Sequence, residues 1–188
     1  MIDNIINELA KVCISHSSQI VTAESCTGGL IAKLITDLAG SSQWFDRGFV
    51  TYTNLAKEQM LGVNQQLLTD YGAVSEAVAE AMAKGALDSS QASFSLSVTG
   101  IAGPGGGTET KPVGLVCFAW AYYSFEKNSF EKNSFEKNGT EKNTLENNNV
   151  IVISSSQRFS GDRDAIRNQS AFFSLQKMLE IITNKQIG

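Results

Sequence analysis

Apolar residues recur at three- and four-residue spacing in several stretches of the chain, which predicts amphipathic helices. In the first of these, residues 2–16, the repeat includes Cys13 and indicates that the cysteine is buried in the core. Further helices are predicted at 28–38, in a short stretch capped by Asn54, at 64–71, at 75–87 with Ser75 as the N-cap, and from about residue 161 onward.

Short apolar or alternating runs lie between these helices and predict strands. They fall at 19–23, 44–53, 92–99, 113–123 and 150–154, and the last run can extend to Phe159. Strands and helices alternate through the first half of the chain, whereas the last two strands follow each other without a helix. The pattern therefore predicts an α/β fold with a mostly parallel sheet and at least one antiparallel strand.

One segment, at about residues 124–149, does not fit this scheme. The pentapeptide SFEKN occurs there three times and then degenerates, and its five-residue period matches neither a helix nor a strand. We predict a disordered repeat insertion in an exposed loop, within a chain of 188 residues that otherwise forms a single domain. A partner-binding role for the repeat is the alternative interpretation.

Composition excludes several classes of function. A net charge of −4 argues against a nucleic-acid partner. Three cysteines without C-x-x-C spacing argue against a disulfide framework or a zinc site, and they favour a cytoplasmic setting. We also expect no membrane partner, because no signal peptide or membrane-spanning run is apparent.

The stretch 22–29 is the strongest candidate for chemistry, because it puts a serine on a predicted strand-to-helix turn. Ser25 is followed closely by Gly28 and Gly29, which bring backbone N–H groups near any bound group. The start of a helix suits a phosphate or a developing oxyanion. A serine that merely caps a tight turn is the simpler alternative.

Ser25 would need a base to attack a carbonyl carbon. The single histidine, His16, falls among serines at the polar end of the first helix and is predicted to be a surface residue. The remaining candidates for the base are Lys57, Lys33, Glu24 and Tyr52. A lysine acts as a base only if its pKa is lowered. The alternative is that Tyr52 is a core aromatic residue and Lys57 is solvated.

Other residues could take part in the same site. Cys26 is a rival nucleophile, although without a nearby histidine a small buried side chain is the preferred interpretation. The glycine-rich stretch 100–107 is neither a Walker A motif nor a Rossmann motif, but its N–H groups could bind phosphate. Arg163 or Arg167 could clamp a phosphate, or could form ion pairs with neighbouring aspartates.

Six segments together resemble the CinA C-terminal domain family, and within it the stand-alone bacterial nicotinamide-nucleotide amidases. They are TAESCTGG at 22–29, GFVTYTN at 48–54, GAVSE at 72–76, TGIAGP at 99–104, KPVG at 111–114 and FSGDRD at 159–164. The resemblance covers nearly the whole chain outside the repeat segment.

The resemblance implies a three-layer α/β/α sandwich with a mixed, mostly parallel sheet. It implies hydrolysis of nicotinamide mononucleotide to nicotinate mononucleotide and ammonia, without a metal or other cofactor, by a homodimer or larger homo-oligomer. The alternative is a non-catalytic, competence-related protein that binds nucleotides.

The resemblance also implies roles for individual residues. Ser25 becomes the nucleophile, and Tyr52 and Lys57 become its activating partners. The implied substrate-binding residues are Thr27, Gly28 and Gly29 through their N–H groups, Thr99, Gly100 and Gly103 as pocket lining, and Arg163 or Arg167 near the phosphate.

Overall fold

The structure is a computed structural model that describes residues 2–124 and 149–186. The predicted disordered insertion at 124–149 lies outside the described residues except at its two ends. The prediction of a single domain over all 188 residues stays a prediction.

Each predicted helix and strand is found close to its predicted position. The helices are α1 (Ile2–Ser15), α2 (Leu30–Thr36), α3 (Asn54–Leu61), α4 (Gln65–Tyr71), α5 (Glu76–Asp88) and α6 (Arg163–Gln186). The strands are β1 (Ile20–Glu24), β2 (Phe45–Val50), β3 (Phe94–Gly100), β4 (Leu115–Tyr123) and β5 (Val150–Arg158). No helix within the described ranges is long and apolar enough to cross a membrane.

The five strands form one sheet in the order β2-β1-β3-β4-β5. Strand β1 is parallel to both β2 and β3, and β4 is antiparallel to both β3 and β5. Four strands therefore run in one direction and β4 runs in the other. This confirms the predicted mixed, mostly parallel sheet and the antiparallel pairing of the two consecutive strands.

Helices cover both faces of the sheet, which gives the three-layer sandwich. Helices α1, α2 and α6 share one apolar core with one face of the strands, and that core includes Cys13, as predicted. Helices α3, α4 and α5 pack on the opposite face. Helix α5 packs close to the sheet where the side chains between them are small, and Ala79 and Ala83 are completely buried.

Hydroxyl groups on β3 fasten α5 to the sheet. Alternate residues of a strand point to the same face, and the Ser95 and Ser97 hydroxyls donate to the α5 carbonyls of Ala83 and Ala79 at 2.8 and 2.6 Å. Thr99 continues the row with a 2.8 Å bond to the Ala73 carbonyl. The three hydroxyl groups on this face of β3 are buried, but each donates a hydrogen bond.

Three helix starts show how local sequence sets the boundaries of the helices. Ser75 caps α5 as predicted, because its hydroxyl accepts the Val78 N–H at 3.3 Å. The prediction that Asn54 caps α3 was wrong by one residue, since the Thr53 hydroxyl accepts the Ala56 N–H at 3.1 Å. Helix α2 begins later than predicted because Gly28 and Gly29 are left-handed, with φ of 60° and 91°.

Helices α3 and α5 meet at Gly85, where only a hydrogen atom fits. A Cβ at this position would lie 1.9 Å from the Leu61 carbonyl oxygen at the end of α3. Helix α3 carries Lys57, so this contact also sets where that lysine sits.

We expect Gly85→Ala to lower the free energy of unfolding by about 1–3 kcal/mol, because the methyl group must push α3 away from α5. Chemical denaturation measures the change. Gly105→Ala is the matched control, since a Cβ there meets nothing within 4 Å. An unchanged or raised stability of Gly85→Ala would contradict the close approach of these helices.

Candidate active site

Ser25 occupies the turn between β1 and α2, at the carboxyl edge of the parallel strands. Its N–H donates to the Val98 carbonyl on β3 at 2.9 Å, which fixes the residue against the sheet. Gly28 and Gly29 then adopt left-handed backbone conformations and turn the chain into α2. Residues with a side chain adopt this conformation only at a cost in free energy. The Ser25 side chain is therefore held at the strand end where an open α/β sheet binds ligands.

Lys57 on α3 reaches across to Ser25. Its Nζ donates to Ser25 Oγ at 3.0 Å and to the Thr51 carbonyl at 2.8 Å, and only 1% of the residue is exposed. No carboxylate lies within 4.0 Å of this amine in the part of the chain that the structure describes. The alternative of a solvated Lys57 is therefore wrong.

Burial changes the acid–base behaviour of Lys57. Desolvation lowers the pKa of its amine from the ordinary value of 10.5, and the interaction with Cys26 opposes this only in part. A buried ammonium without a carboxylate partner is costly, so the neutral amine is favoured. A neutral amine beside a serine hydroxyl can act as its base.

The other candidate bases are engaged elsewhere. Lys33 forms an exposed ion pair with Asp37 at 2.6 Å. His16 is exposed, as predicted, and its Nδ1 lies 2.9 Å from the carbonyl of Val12 in the preceding helix α1. Glu24 faces inward and caps α2. Of the candidate bases, Lys57 is the one that bonds to the Ser25 hydroxyl in the described residues.

Glu24 closes the N-terminus of α2 from within. Its carboxylate accepts the N–H groups of Gly29, Ile31 and Ala32 at 2.9, 3.0 and 2.8 Å, and the residue is 1% exposed. A carboxylate at this position also offsets the positive end of the helix dipole. The start of α2 is therefore occupied by a side chain of the protein itself.

Two of the N–H groups that were predicted to bind the substrate already have acceptors within the protein. The Gly28 N–H donates to the Ser25 carbonyl at 3.1 Å, and the Gly29 N–H is taken by Glu24. The N–H groups of Cys26 and Thr27 donate to no oxygen atom within residues 2–124 and 149–186. These two amides, next to Ser25, are the donors that an oxyanion could use.

Cys26 behaves as a buried thiol. Burial raises its pKa to about 12, and the charge of Glu24 adds to the rise, while the N–H groups of Cys26 and Thr27 and the amine of Lys57 oppose it. The thiolate is the nucleophilic form, so Cys26 is a poor rival to Ser25. This agrees with the predicted small buried side chain.

Tyr52 lies at the outer rim of this edge and not in the core. The residue is 60% exposed, and its hydroxyl accepts a hydrogen bond from Arg163 Nη2 at 2.9 Å. Within the described residues the hydroxyl bonds to neither Ser25 nor Lys57. The alternative of a core aromatic residue is wrong, and the role of Tyr52 as an activating partner stays a prediction.

The two arginines at the start of α6 bind the loops of the same edge. Arg163 Nη1 donates to the Gly103 carbonyl at 2.8 Å, and Arg167 Nη2 donates to the Thr27 carbonyl at 2.6 Å. Neither forms an ion pair with Asp162 or Asp164 in the described chain, so that alternative is wrong. Both positive charges remain available to an anionic ligand.

The three predicted pocket-lining residues each make a close contact within the protein, and their role in a pocket stays a prediction. The Thr99 hydroxyl is engaged with the Ala73 carbonyl. A Cβ on Gly100 would lie 2.8 Å from the Leu115 carbonyl oxygen, and one on Gly103 would lie 2.6 Å from a methyl group of Val113. Of these three, Gly103 contacts another candidate residue, because its carbonyl accepts from Arg163.

The fold and the site together define a class of protein, an α/β sandwich that carries a serine–lysine pair at the carboxyl edge of its parallel strands. A model of the CinA C-terminal domain family matches residues 2–150, and the chain belongs to this family.

Similar proteins cover most of the chain. It is 50% identical over 166 residues to the nicotinamide-nucleotide amidohydrolase PncC of Enterobacter agglomerans, covering 88% of this chain and 86% of that protein. It is 46% identical over 171 residues to the protein of the same name from Escherichia coli strain K12, covering 91% and 88%. The crystal structure of the competence/damage inducible protein CihA from Agrobacterium tumefaciens superposes with a TM-score of 0.78 at 40% identity, covering 97% and 95%.

We expect Glu24→Ala to lower the free energy of unfolding by about 3 kcal/mol, because three N–H donors lose a charged acceptor. Glu24→Gln keeps one acceptor oxygen and should cost less. Chemical denaturation measures both changes. Glu8→Gln, which alters an exposed carboxylate paired with Lys11, should stay within about 0.5 kcal/mol. Equal stability of Glu24→Ala and wild type would contradict the capping role.

Proposed function

We propose that this chain hydrolyses the carboxamide of nicotinamide mononucleotide to nicotinate mononucleotide and ammonia. The names of the relatives at 46–50% identity support this substrate. The observation that carries the proposal is the 3.0 Å contact between Ser25 Oγ and the buried amine of Lys57. Burial, with no carboxylate within 4.0 Å in the described residues, increases the neutral fraction of that amine, and the neutral amine can accept the serine proton.

In the first half of the reaction, Lys57 acts as the base and Ser25 as the nucleophile. With Lys57 neutral, the Ser25 hydroxyl donates its hydrogen bond to Nζ, and the proton moves to the amine as Oγ bonds to the carboxamide carbon. The resulting ammonium returns a proton to the leaving nitrogen as the C–N bond breaks. Ammonia leaves, and the acyl group stays on Ser25 as an ester.

In the second half, water replaces ammonia. Lys57, again neutral, takes a proton from a water molecule as its oxygen bonds to the ester carbon. The Ser25–acyl bond breaks, and Lys57 returns the proton to Oγ. The N–H groups of Cys26 and Thr27, which donate to no oxygen atom in the described residues, would stabilise the oxyanion in both halves. In this scheme the N–H groups of Gly28 and Gly29 support the turn.

In this proposal the arginines of α6 bind the phosphate of the substrate. Arg163 and Arg167 carry positive charge without an ion-pair partner in the described ranges, and they already bind the carbonyls of Gly103 and Thr27. An arginine pairs well with phosphate oxygens. A cytoplasmic location and a homo-oligomeric state remain predictions.

We expect purified wild-type protein to release ammonia from nicotinamide mononucleotide, and Ser25→Ala to lose at least about 10³-fold of that turnover. The measurement is ammonia release together with formation of nicotinate mononucleotide. Cys26→Ala separates the two candidate nucleophiles and should retain turnover. Full turnover in Ser25→Ala would refute the mechanism. Binding of the nucleotide by folded wild type without ammonia release would favour the non-catalytic alternative.

The lowered pKa of Lys57 predicts how activity and stability depend on pH. The base must be neutral, so kcat/KM should rise with pH through a pKa below 10.5. The unfolded chain binds the proton more tightly, with a lysine pKa of about 10.4. Between the two pKa values the free energy of unfolding of wild type should therefore rise with pH relative to Lys57→Met.

Chemical denaturation of wild type and Lys57→Met between about pH 6 and pH 10 measures this difference. Lys33→Met is the control for the loss of an exposed lysine. A difference between wild type and Lys57→Met that stays constant over this range would contradict a lowered pKa.

A further inference from the structure

We propose that the exposed ring of Tyr52 binds the cationic pyridinium ring of the substrate and makes the site selective for that charge. The inference rests on the proposed function and adds the recognition of the ring to it. It gives Tyr52 a binding role in place of the predicted role in proton transfer.

Tyr52 spans the two ends of the candidate site. The carbonyl of its neighbour Thr51 accepts the hydrogen bond of Lys57 at 2.8 Å, which puts the Tyr52 backbone beside the Ser25–Lys57 pair. Its hydroxyl, at the far end of the side chain, accepts from Arg163 at 2.9 Å. One tyrosine side chain thus reaches from the hydrolytic pair to an arginine suited to phosphate.

Nicotinamide mononucleotide has its groups in the same order. The carboxamide is attached to the pyridinium ring, the ring nitrogen is joined to ribose, and the ribose carries the phosphate. With the carboxamide carbon at Ser25 and the phosphate at Arg163, the ring lies beside the phenol of Tyr52. The ring nitrogen is quaternary, so its positive charge is present at every pH.

The carboxylates at this edge are held by other donors. Glu24 faces inward and accepts three N–H groups of α2. Asp162 caps the first turn of α6 at 2.8 Å, and Asp164 accepts a side-chain amide one turn later at 2.9 Å. An aromatic face is a group that binds a quaternary cation without a carboxylate.

The ring of Tyr52 is presented for such a contact. It is 60% exposed and stacks on no other aromatic ring in the described chain. Arg163 is itself fixed at two points, by the Gly103 carbonyl and by the Tyr52 hydroxyl. This bond holds the phenol by its oxygen and does not occupy the face of the ring.

Reduced nicotinamide mononucleotide is the matched ligand for a test. It keeps the carboxamide, ribose and phosphate, but its dihydropyridine ring is neutral. A cation–π contact changes affinity by about 2- to 30-fold. We expect this factor to separate the affinities of the oxidised and reduced nucleotides.

The experiment measures binding of both nucleotides by calorimetry to full-length Ser25→Ala, which binds without turnover. The same measurement is made with Tyr52→Leu, Tyr52→Phe and Tyr71→Leu added in turn. Tyr52→Leu should bring the affinity ratio close to one, because an apolar contact remains but the aromatic face is lost. Tyr52→Phe should keep the ratio while weakening both ligands, because Arg163 loses an acceptor. Tyr71 is 56% exposed on α4, and its replacement should change neither value.

An affinity ratio in Tyr52→Leu equal to that of the Ser25→Ala parent overturns the inference, provided that thermal unfolding shows both proteins folded. If wild type still releases ammonia in that case, the proposed function stands and only the ring contact fails. If wild type releases no ammonia, a Tyr52-dependent ratio still supports the ring contact. A Tyr52→Phe enzyme that retains Ser25 and loses kcat at unchanged KM would assign the hydroxyl to proton transfer and contradict the binding role.

Discussion

The burial of one amine without a counter-charge is the constraint on which the candidate site depends. Lys57 is buried from water, and in the described residues its amine bonds to one hydroxyl and one carbonyl. The fold pays for this in stability, and in return the amine is biased toward its neutral form at the side of Ser25. Two contacts position the groups around this amine. The close approach of α5 to α3 at Gly85 fixes the position of α3. The Thr51 N–H donates to the Glu24 carbonyl and holds Thr51 next to the end of β2.

A second constraint concerns the positive end of the α2 dipole and the positive charges of Arg163 and Arg167, which lie at the same edge of the sheet. The start of α2 would attract an anion, but Glu24 occupies it and leaves the turn at Ser25 free of a competing phosphate site. The positive charges at this edge belong instead to Arg163 and Arg167 of α6, the C-terminal helix of the described chain. The Ser25–Lys57 pair and the two arginines of α6 thus lie on different elements, and Tyr52 and Thr27 accept the hydrogen bonds that connect them.

Local patterns were enough to predict the elements, because hydrophobic periodicity and capping residues act within one or two turns. The errors are local as well: the cap of α3 is Thr53, and glycine geometry delays the start of α2. The site was predicted only as a set of candidates. Lys57 meets Ser25 across 32 positions and Arg163 meets Tyr52 across 111, and such contacts depend on how layers pack. The sequence suggested Glu24 as a candidate base, whereas its carboxylate caps the N-terminus of α2. A carboxylate just before a glycine turn and a helix is a sequence signal for such a cap.

The pairing of β4 with β5 places the two ends of the repeat segment far from the candidate site. Phe94 at the start of β3 pairs with Tyr122, whereas Gly100 at its other end pairs with Val116. The chain therefore leaves β4 about 20 Å from the edge that carries Ser25. Ser124 and Asn149 close the exit with a backbone bond of 2.9 Å. Neither the sheet register nor the edge that carries Ser25 depends on how many five-residue units lie between those two residues, so the number of repeats can change without moving the candidate site.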